Sequence, residues 1–361
     1  MTIAIDGRML NWSGVGTYVR NLLPRVIQLG NKFEFRVLIR QIERGTPSSC
    51  YGPNATRIVS GAPFFSLSEQ IDLLAKSRGT ALFWSPHFLI PLLYGGKLLV
   101  TVQDVYHLAV RQGILGAHKK LFAKVFFNTI RRNADGVICT SRFTADELIR
   151  LTGIRANKIT VIACGVDDTW FNSLNGGRPH PKPYLLFVGN VKPHKNLVRL
   201  VTAFGAIVDS IPHDLVIVGR KEGFITHDRV VERVAAKLGD RIMFTGFVED
   251  TRLRQYLKHA DAFVFPSLYE GFGLPPLEAM ASGCPVIASR VASLPEVCGD
   301  AALYCDPYDT GDISRKMLYL LSSQDLRMEL REKGVLHAHR FSWEQAARDT
   351  WAVMAALLEQ G

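Results

Sequence analysis

Short, uninterrupted apolar segments alternate with helix-like segments along the whole chain of 361 residues. Segments such as YLLFV and AFVF lack the polar alternation of a strand with one wet face. Continuous apolar strands are typical of a parallel sheet that helices cover on both sides. The predicted strands are residues 3–6, 33–40, 57–60, 81–85, 98–103, 136–140, 159–162, 184–188, 215–219, 241–245, 263–265 and 286–287. The predicted helices between them include residues 18–29, 67–78, 145–152, 197–211, 229–238 and 251–259.

A segment rich in glycine, proline and polar residues interrupts this pattern at residues 173–183, SLNGGRPHPKP. Such a composition is typical of a linker, and the length of the chain fits two domains. The fold class is therefore α/β, with two doubly wound, Rossmann-like domains at 1–172 and 184–341. The helical segment 342–361 is expected to pack back on the first domain. A ligand cleft is expected between the domains, at the carboxyl ends of the strands.

The net charge of +10 belongs entirely to residues 1–170, because the remainder carries equal numbers of acidic and basic residues. Nucleic acid, an anionic membrane and a phosphorylated substrate are the partners that such an excess fits. The chain has neither a zinc finger nor an aromatic RNA-recognition signature, which favours membrane or phosphate over nucleic acid. Neither a signal peptide nor a membrane-spanning run is visible. Six cysteines without metal spacing indicate reduced thiols in a cytoplasmic protein.

Two carboxylates, Glu270 and Glu278, flank a glycine loop and the start of a helix in the block AFVFPSLYEGFGLPPLEAMASGCPVIAS, residues 262–289. A glycine loop at a helix amino terminus binds anions, because free N–H groups and the helix dipole point at the ligand. Carboxylates accept strong hydrogen bonds from hydroxyl groups. Amides for phosphate beside carboxylates for hydroxyls predict a nucleotide-sugar site.

This block, with FVGNVKPHKNL at 187–197 and GVGTY at 14–18, resembles the retaining GT-B glycosyltransferases of family 4 over essentially the whole chain. The resemblance implies a GT-B fold whose two domains face a central cleft. It also implies that Glu278 binds the ribose and Glu270 the sugar of the donor. The amides expected to face the donor diphosphate are those of Gly271, Phe272, Gly273 and Leu274.

A basic group is expected against the diphosphate as well, and Lys195 is the candidate, with Lys192 or His194 as its helper. A fixed cation there stabilises the charge that develops on the leaving group. Many relatives have an arginine shortly after the first glycine of this motif, where this chain has Asn190. The alternative for Lys195 is a solvated lysine near a helix start, a place that disfavours cations.

The resemblance also assigns roles in the first domain. Gly14 and Gly16 are placed in a loop that follows the first strand and opens a helix, near the donor phosphates and the acceptor. Many relatives have His-Asp where this chain has Gln103 and Asp104, followed by His107. Asp104 is expected either to orient or deprotonate the acceptor hydroxyl, or to cap a helix. Gln103, His107 and Arg142 are further acceptor candidates.

The segment AHKKLFAKVFFNTIRR at 117–132 is both basic and apolar. It fits a helix lying on an anionic membrane face, and it equally fits a core helix with a solvated basic side. The two alternatives differ in where the apolar residues point.

These motifs together predict a hexosyltransferase, with Glu270, Lys195 and Asp104 as catalytic residues. The most favoured reaction moves mannose from GDP-mannose to a lipid-linked or glycan acceptor in surface polysaccharide synthesis. By resemblance the mechanism is front-face, with the leaving phosphate helping to take the acceptor proton. Neither a metal nor a cofactor is expected, since no Asp-x-Asp motif follows an apolar strand. The enzyme is expected on the cytoplasmic membrane face. The alternatives are a UDP-sugar transferase, an epimerase or phosphorylase of the same fold, and a non-catalytic nucleotide-sugar-binding subunit.

Overall fold

A computed structural model describes residues 1–40, 51–109, 117–172, 176–219 and 229–359, with the side chains of 117–120 and 229 outside that description. The chain divides into two compact units. The first comprises Met1–Gly165 together with Ser342–Gly361, and the second comprises Val166–Phe341. Residues 166–172 therefore group with the second unit, seven positions earlier than the predicted boundary. Part of the predicted linker, residues 173–175, falls outside the described residues.

The first unit is built on a seven-stranded sheet in the order β3-β2-β1-β4-β5-β6-β7, and all its strand pairs are parallel. Its central strands are buried along their length, as the continuous apolar runs predicted. The strands are β1 Thr2–Asp6, β2 Glu34–Ile39, β3 Ala55–Val59, β4 Leu82–Ser85, β5 Lys97–Val102, β6 Gly136–Cys139 and β7 Ile159–Val161. The helices that connect them are α1 Gly14–Leu29, α2 Leu67–Ser77, α3 Tyr106–Ala109, α4 Ala117–Asn133 and α5 Arg142–Thr152.

The second unit has a six-stranded parallel sheet in the order β10-β9-β8-β11-β12-β13. This is the strand order of a dinucleotide-binding Rossmann sheet. The strands are β8 Tyr184–Val188, β9 Asp214–Val218, β10 Ile242–Gly246, β11 Ala262–Phe265, β12 Val286–Ser289 and β13 Ala302–Cys305. The helices are α6 Leu197–Gly205, α7 Arg229–Ala236, α8 Asp250–His259, α9 Leu274–Ala281, α10 Leu294–Cys298, α11 Thr310–Ser322 and α12 Gln324–Ala338.

The last helix, α13 Trp343–Glu359, packs against α1 and the β4–β6 strands of the first unit. Its aromatic residues carry this contact. Trp343 is buried and meets Tyr18 edge-on at 6.0 Å, and Trp351 meets Phe33 at 5.5 Å. None of the helices in the described part of the chain is long and apolar enough to cross a membrane.

Each sheet reverses its strand order at one point, between β1 and β4 in the first unit and between β8 and β11 in the second. Loops that leave the carboxyl ends of such neighbouring strands diverge, and the crevice between them is where open α/β sheets bind ligands. The loops that follow β8 and β11 contain the Lys195 motif and the Glu270 loop. The topology therefore brings together two motifs that lie about 75 residues apart in the sequence.

Gly165 is the last residue of the first segment of the first unit, and it lies against the start of α13. A Cβ atom on Gly165 would lie 2.1 Å from the backbone nitrogen of Trp343. We expect Gly165→Ala to displace α13 and to lower the free energy of unfolding by about 1–3 kcal/mol, the usual cost of overpacking. Thermal unfolding measures this, with Gly61→Ala as the matched control because no atom lies within 4 Å of its added Cβ. Equal stability of the two variants would contradict the prediction.

Candidate functional site

An ion pair joins the two loops at the switch point of the second sheet. Lys195 Nζ donates to Glu270 Oε1 at 2.7 Å, and the two side chains are 15% and 12% exposed. Lys195 Nζ also lies 4.9 Å from the centroid of the Phe265 ring. Because both charges are largely shielded from water, loss of either partner would leave the other uncompensated.

Backbone contacts fix this pair in place. Asn196, which follows Lys195, adopts a left-handed conformation with φ of 60° and donates from Nδ2 to the carbonyls of Pro266 and Pro307, at 2.9 and 2.7 Å. The N–H of Leu268 donates to the carbonyl of His194 at 2.7 Å. The loop after β8 is thus bonded directly to the loop after β11.

Ser293 holds the glycine loop from the opposite side. Its buried hydroxyl is directed at the carbonyls of Phe272 and Glu270, at 2.6 and 3.0 Å. Since the N–H of a planar peptide points away from its C=O, these contacts also set the direction of the Gly271 and Gly273 amides. The sequence prediction missed Ser293; its signal is a serine immediately before the proline-containing start of α10.

Gly273 immediately precedes α9 and has a conformation that favours glycine, with φ of 114°. A Cβ there would lie 2.8 Å from Leu294 Cδ2. Pro275 and Pro276 follow in the first turn and have no N–H, so two of the four amides that a helix start normally offers are missing. An anion at this place would therefore depend on the loop amides and Leu274 more than on the helix itself.

Glu278 lies on α9, partly buried, beside the start of α8. Burial raises the pKa of Glu278 from its ordinary 4.5 to about 8, and the nearby Asp250 charge adds to the shift. Its carboxyl is consequently mostly protonated at neutral pH. Asp250 follows the connection after β10, so Glu278 faces the same edge of the sheet as the ion pair.

The other predicted donor residues occupy the same connection. Asn190 follows Gly189 directly after β8 and is partly exposed. Lys192 is exposed, and its carbonyl accepts the N–H of Lys195 in the 3₁₀ turn Pro193–Lys195. Both therefore lie within five residues of Lys195 along the chain.

Gly14 and Gly16 open a helix, as predicted, but they lie in its first turn rather than in the loop before it. This helix, α1, begins at Gly14 with Ser13 preceding it. Gly14 is exposed, whereas Gly16 is buried near the carbonyl of Leu10. The loop after β1 is shorter than predicted, because the helix starts four residues before Tyr18.

The acceptor candidates of the first unit lie after β5 and β6, which are neighbouring strands. Asp104 Oδ1 accepts the N–H of Tyr106 at 2.9 Å, which supports the capping alternative at the start of α3. Gln103 Nε2 donates to the carbonyl of Pro86 at 3.2 Å. His107 packs edge-on against Phe88 at 5.7 Å, and Arg142 is the exposed first residue of α5.

The sequence prediction missed an aromatic group at the same edge, formed by Trp12, Phe64 and His87. The ring of Trp12 lies 5.0 Å from that of Phe64 and 5.8 Å from that of His87. Burial lowers the pKa of His87 to about 3, with positive charge on His107 and Arg8 adding to the effect, so its ring is neutral at physiological pH. The detectable signal was a histidine directly after the strand at the switch point.

A buried ion network supports this aromatic group. Arg8 is 1% exposed and forms two bonds with Asp6, from Nε at 2.8 Å and from Nη2 at 2.7 Å. Its Nη1 lies 2.9 Å from Glu69 Oε1 on α2. Burial raises the pKa of Glu69. The network ties the loop after β1 to α2, and its guanidinium lies 4.9 Å from the centroid of the Phe64 ring.

Two family models match successive parts of the chain. The model of Glycosyltransferase Family 4 matches residues 12–170, and the model of Glycosyl transferases group 1 matches residues 168–336. The chain belongs to the family 4 glycosyltransferases. Its fold is GT-B, as the resemblance implied.

The relatives of this glycosyltransferase are enzymes of bacterial glycan and glycoside synthesis. It is 34% identical to O-antigen chain mannosyltransferase B of Escherichia coli over 59% of this chain and 58% of that protein. It is 28% identical to the serotype-specific mannosyltransferase WbdA of Escherichia coli, over 70% of this chain and 32% of that protein. It is 30% identical to D-inositol 3-phosphate glycosyltransferase 2 of Catenulispora acidiphila, over 81% of this chain and 69% of that protein. The chain thus spans well under two thirds of both mannosyltransferases.

Two solved structures illustrate the fold of this glycosyltransferase. Sucrose-phosphate synthase from Thermosynechococcus elongatus matches the whole chain over its own full length with a TM-score of 0.80 and 22% identity. HepE of Anabaena, solved in complex with UDP-glucose, covers 99% of this chain and all of its own, with a TM-score of 0.79 and 15% identity.

The raised pKa of Glu278 predicts how the stability of the protein depends on pH. Between about pH 4.5 and 8 the folded glycosyltransferase holds a proton that the unfolded chain releases, so this residue lowers stability as pH rises through that window. Glutamine does not titrate. We expect Glu278→Gln to become progressively more stable than the unsubstituted protein from pH 5 to 8, with a constant difference above 8. Denaturant titrations measure this, with Glu332→Gln as the exposed control; parallel curves for Glu278→Gln would refute it.

Proposed function

We propose that this glycosyltransferase moves mannose from GDP-mannose, with retention of anomeric configuration, to a lipid-linked or polysaccharide acceptor in surface polysaccharide synthesis. The observation that carries the proposal is the Lys195–Glu270 pair at the switch point of the second sheet. The named activities of the O-antigen mannosyltransferase relatives support the choice of mannose and of the pathway.

The pair fits the region of the donor where phosphate and sugar meet. A nucleotide-sugar presents phosphate oxygens next to sugar hydroxyls, and here a cation and a carboxylate are held 2.7 Å apart. In this proposal Lys195 Nζ contacts the diphosphate, while the Glu270 carboxylate accepts hydrogen bonds from hydroxyl groups of the hexose. Lys195 then stabilises the negative charge that grows on the diphosphate as the glycosidic bond breaks.

Glu278 is assigned to the ribose, and the connection after β10 to the base. The charge of Asp250, which follows that connection, raises the pKa of Glu278, and this proximity supports the assignment. Phe247, in the same connection, is 61% exposed. A ribose diol binds an ionised carboxylate more strongly than a protonated one. Nucleotide binding is therefore expected to release the proton that Glu278 holds.

Retention is assigned to a front-face reaction in which the leaving phosphate takes the proton of the acceptor hydroxyl. Asp104 Oδ1 already accepts the N–H of Tyr106, which makes Asp104 an orienting group rather than the base. The neutral ring of His87 belongs to the same edge of the first sheet and is a further candidate for contact with the acceptor.

A lipid-linked acceptor requires access to a membrane, and α4 supplies exposed positive charge for it. Lys124, Arg131 and Arg132 are exposed on this helix. The side chains of Lys119 and Lys120 lie outside the described residues. The proposal places the enzyme peripherally on the cytoplasmic membrane face through attraction of these cations to anionic lipid.

Nucleotide selectivity is the most direct test of the donor. We expect GDP to raise the thermal transition well above the effect of UDP or ADP, since a ligand at a hundred times its Kd stabilises by about 2.7 kcal/mol. The Glu278→Gln variant, which cannot supply a carboxylate to the ribose, should respond weakly. A dominant shift with UDP would redirect the assignment to a UDP-sugar. No shift with any nucleotide, together with no donor hydrolysis, would favour a non-catalytic subunit.

The role of Lys195 is tested by separating stability from turnover. We expect Lys195→Ala to lower kcat by about 10²–10³-fold, the usual cost of removing one group that stabilises developing charge. It should also destabilise the fold, because Glu270 remains unpaired. Adding Glu270→Gln should recover stability without recovering turnover, and Lys333→Ala is the exposed-lysine control.

Turnover is expected to persist in EDTA, because Lys195 supplies the positive charge. Normal kcat in Lys195→Ala would overturn the assignment.

A further inference from the structure

The exposed face of α2 has the composition of a core face. Leu67 and Ile71 are 85% and 71% exposed, and Leu74 and Ala75 are exposed on the following turn. These positions are spaced by three and four residues and therefore form one stripe. The buried face of the same helix has Leu73 together with Glu69 and Ser77. A surface helix normally keeps its larger apolar stripe against the core.

Phe65, just before α2, is held outward in a strained conformation. It has φ of 66°, in the left-handed region, and its side chain is 54% exposed. Such a conformation persists in a bulky residue only when its surroundings enforce it. Here the Phe65 N–H donates to Glu69 Oε2 at 2.6 Å, and the N–H of Glu69 donates to Ser66 Oγ at 3.0 Å. Glu69 is itself fixed by Arg8.

The stripe continues onto α4. The rings of Phe65 and Phe122 meet edge-on at 5.1 Å, which places the start of α2 beside α4. On either side of Phe122 in this helix, Leu121 and Val125 are 64% and 46% exposed. We call the five exposed residues the α2–α4 patch: Phe65, Leu67, Ile71, Leu121 and Val125.

Among the described residues along α2 and α4, the exposed charges are positive. Arg78 is exposed beside the end of α2, and Lys124, Arg131 and Arg132 are exposed on α4. Of the acids in α2, Glu69 is buried against Arg8 and Asp72 is paired with Lys76. The sequence of α4 contains neither Asp nor Glu. Exposed apolar side chains bordered by cations complement a surface that has anionic headgroups above an apolar interior.

We propose that the α2–α4 patch inserts into an anionic lipid bilayer, with Phe65, Leu67 and Ile71 as the penetrating side chains. The inference deepens the membrane association proposed above, because it adds apolar insertion by α2 to electrostatic attraction by α4. It does not depend on the identity of the donor. This role accounts for the conformation of Phe65, which keeps a large apolar side chain 54% exposed to water.

The test measures binding to phosphatidylcholine vesicles that contain phosphatidylglycerol. Leu67→Ser and Ile71→Ser are each expected to weaken partitioning about tenfold, because each removes a large apolar side chain from the acyl region. Leu336→Ser is the matched control, since Leu336 is 70% exposed on α12 of the second unit. It should bind vesicles like the unsubstituted protein. Thermal unfolding of all three variants should match that of the parent, because the residues are exposed.

Phe65→Gly gives a sharper outcome, because folding and binding should respond to different extents. Glycine adopts the left-handed region without strain, which offsets the loss of the ring contact with Phe122, so the stability of this variant should stay close to that of the parent. It should nevertheless bind vesicles several-fold more weakly. In a third measurement, the fluorescence of Leu67→Trp should be quenched by lipids brominated on their acyl chains, whereas that of Leu336→Trp should not.

Several results would overturn the proposal. Unchanged binding of Ile71→Ser, with loss of binding only in Lys124→Glu or at high salt, would reduce the membrane contact to electrostatics. Self-association that Ile71→Ser abolishes, with vesicle binding intact, would assign the patch to a second copy of the chain. Failure of the donor proposal is distinguishable, because the nucleotide-induced thermal shift of Ile71→Ser should equal that of the parent whatever its vesicle binding.

Discussion

The proposed donor site depends on the hydrogen bonds that the side-chain amide of Asn196 donates. Its two hydrogen bonds, to Pro266 and Pro307, join the connection after β8 to those after β11 and β13. The residue is buried and left-handed, so that Lys195 just before it is directed at Glu270. Ser293 then fixes the glycine loop that follows Glu270. A charged pair therefore rests on neutral hydrogen bonds made by side chains that never meet the substrate in the proposed reaction. This is how a rigid scaffold holds opposite charges at a set distance before a ligand arrives.

The fold and the donor motifs could be read from the sequence because both depend on local patterns. Continuous apolar runs identified the parallel strands, and the glycine loop between Glu270 and Glu278 identified a strand–loop–helix unit. The ends of helices were predicted less accurately where the sequence lacks a residue that typically starts or stops a helix. The helix predicted at 197–211 ends at Gly205 and is followed by a 3₁₀ turn at Val208–Ser210. The helix predicted from Tyr18 begins at Gly14, where two glycines argued for a loop.

The features that escaped sequence analysis arise from long-range proximity. The local sequence around Ser293, Arg8 and His87 does not show their roles, because these depend on partners from other elements of the fold. The same holds for the outward face of α2, whose helical period is readable but whose orientation is not. A hydrophobic period reports which residues share a face, and only the packing of Glu69 against Arg8 decides which face is inside. Buried ion networks can therefore reverse the simplest expectation drawn from an amphipathic pattern.

The return of α13 to the first unit has a consequence for how the protein is made. The first unit is interrupted by the whole of the second, and α1 packs against a helix that the ribosome delivers more than three hundred residues later. Until then the faces of α1 and β4–β6 that α13 covers have no partner, and the pocket for Trp343 stays open. The second unit, by contrast, is continuous and can fold as soon as it emerges. Completion of the first unit therefore waits for α13, whereas the second unit needs no later segment of the chain.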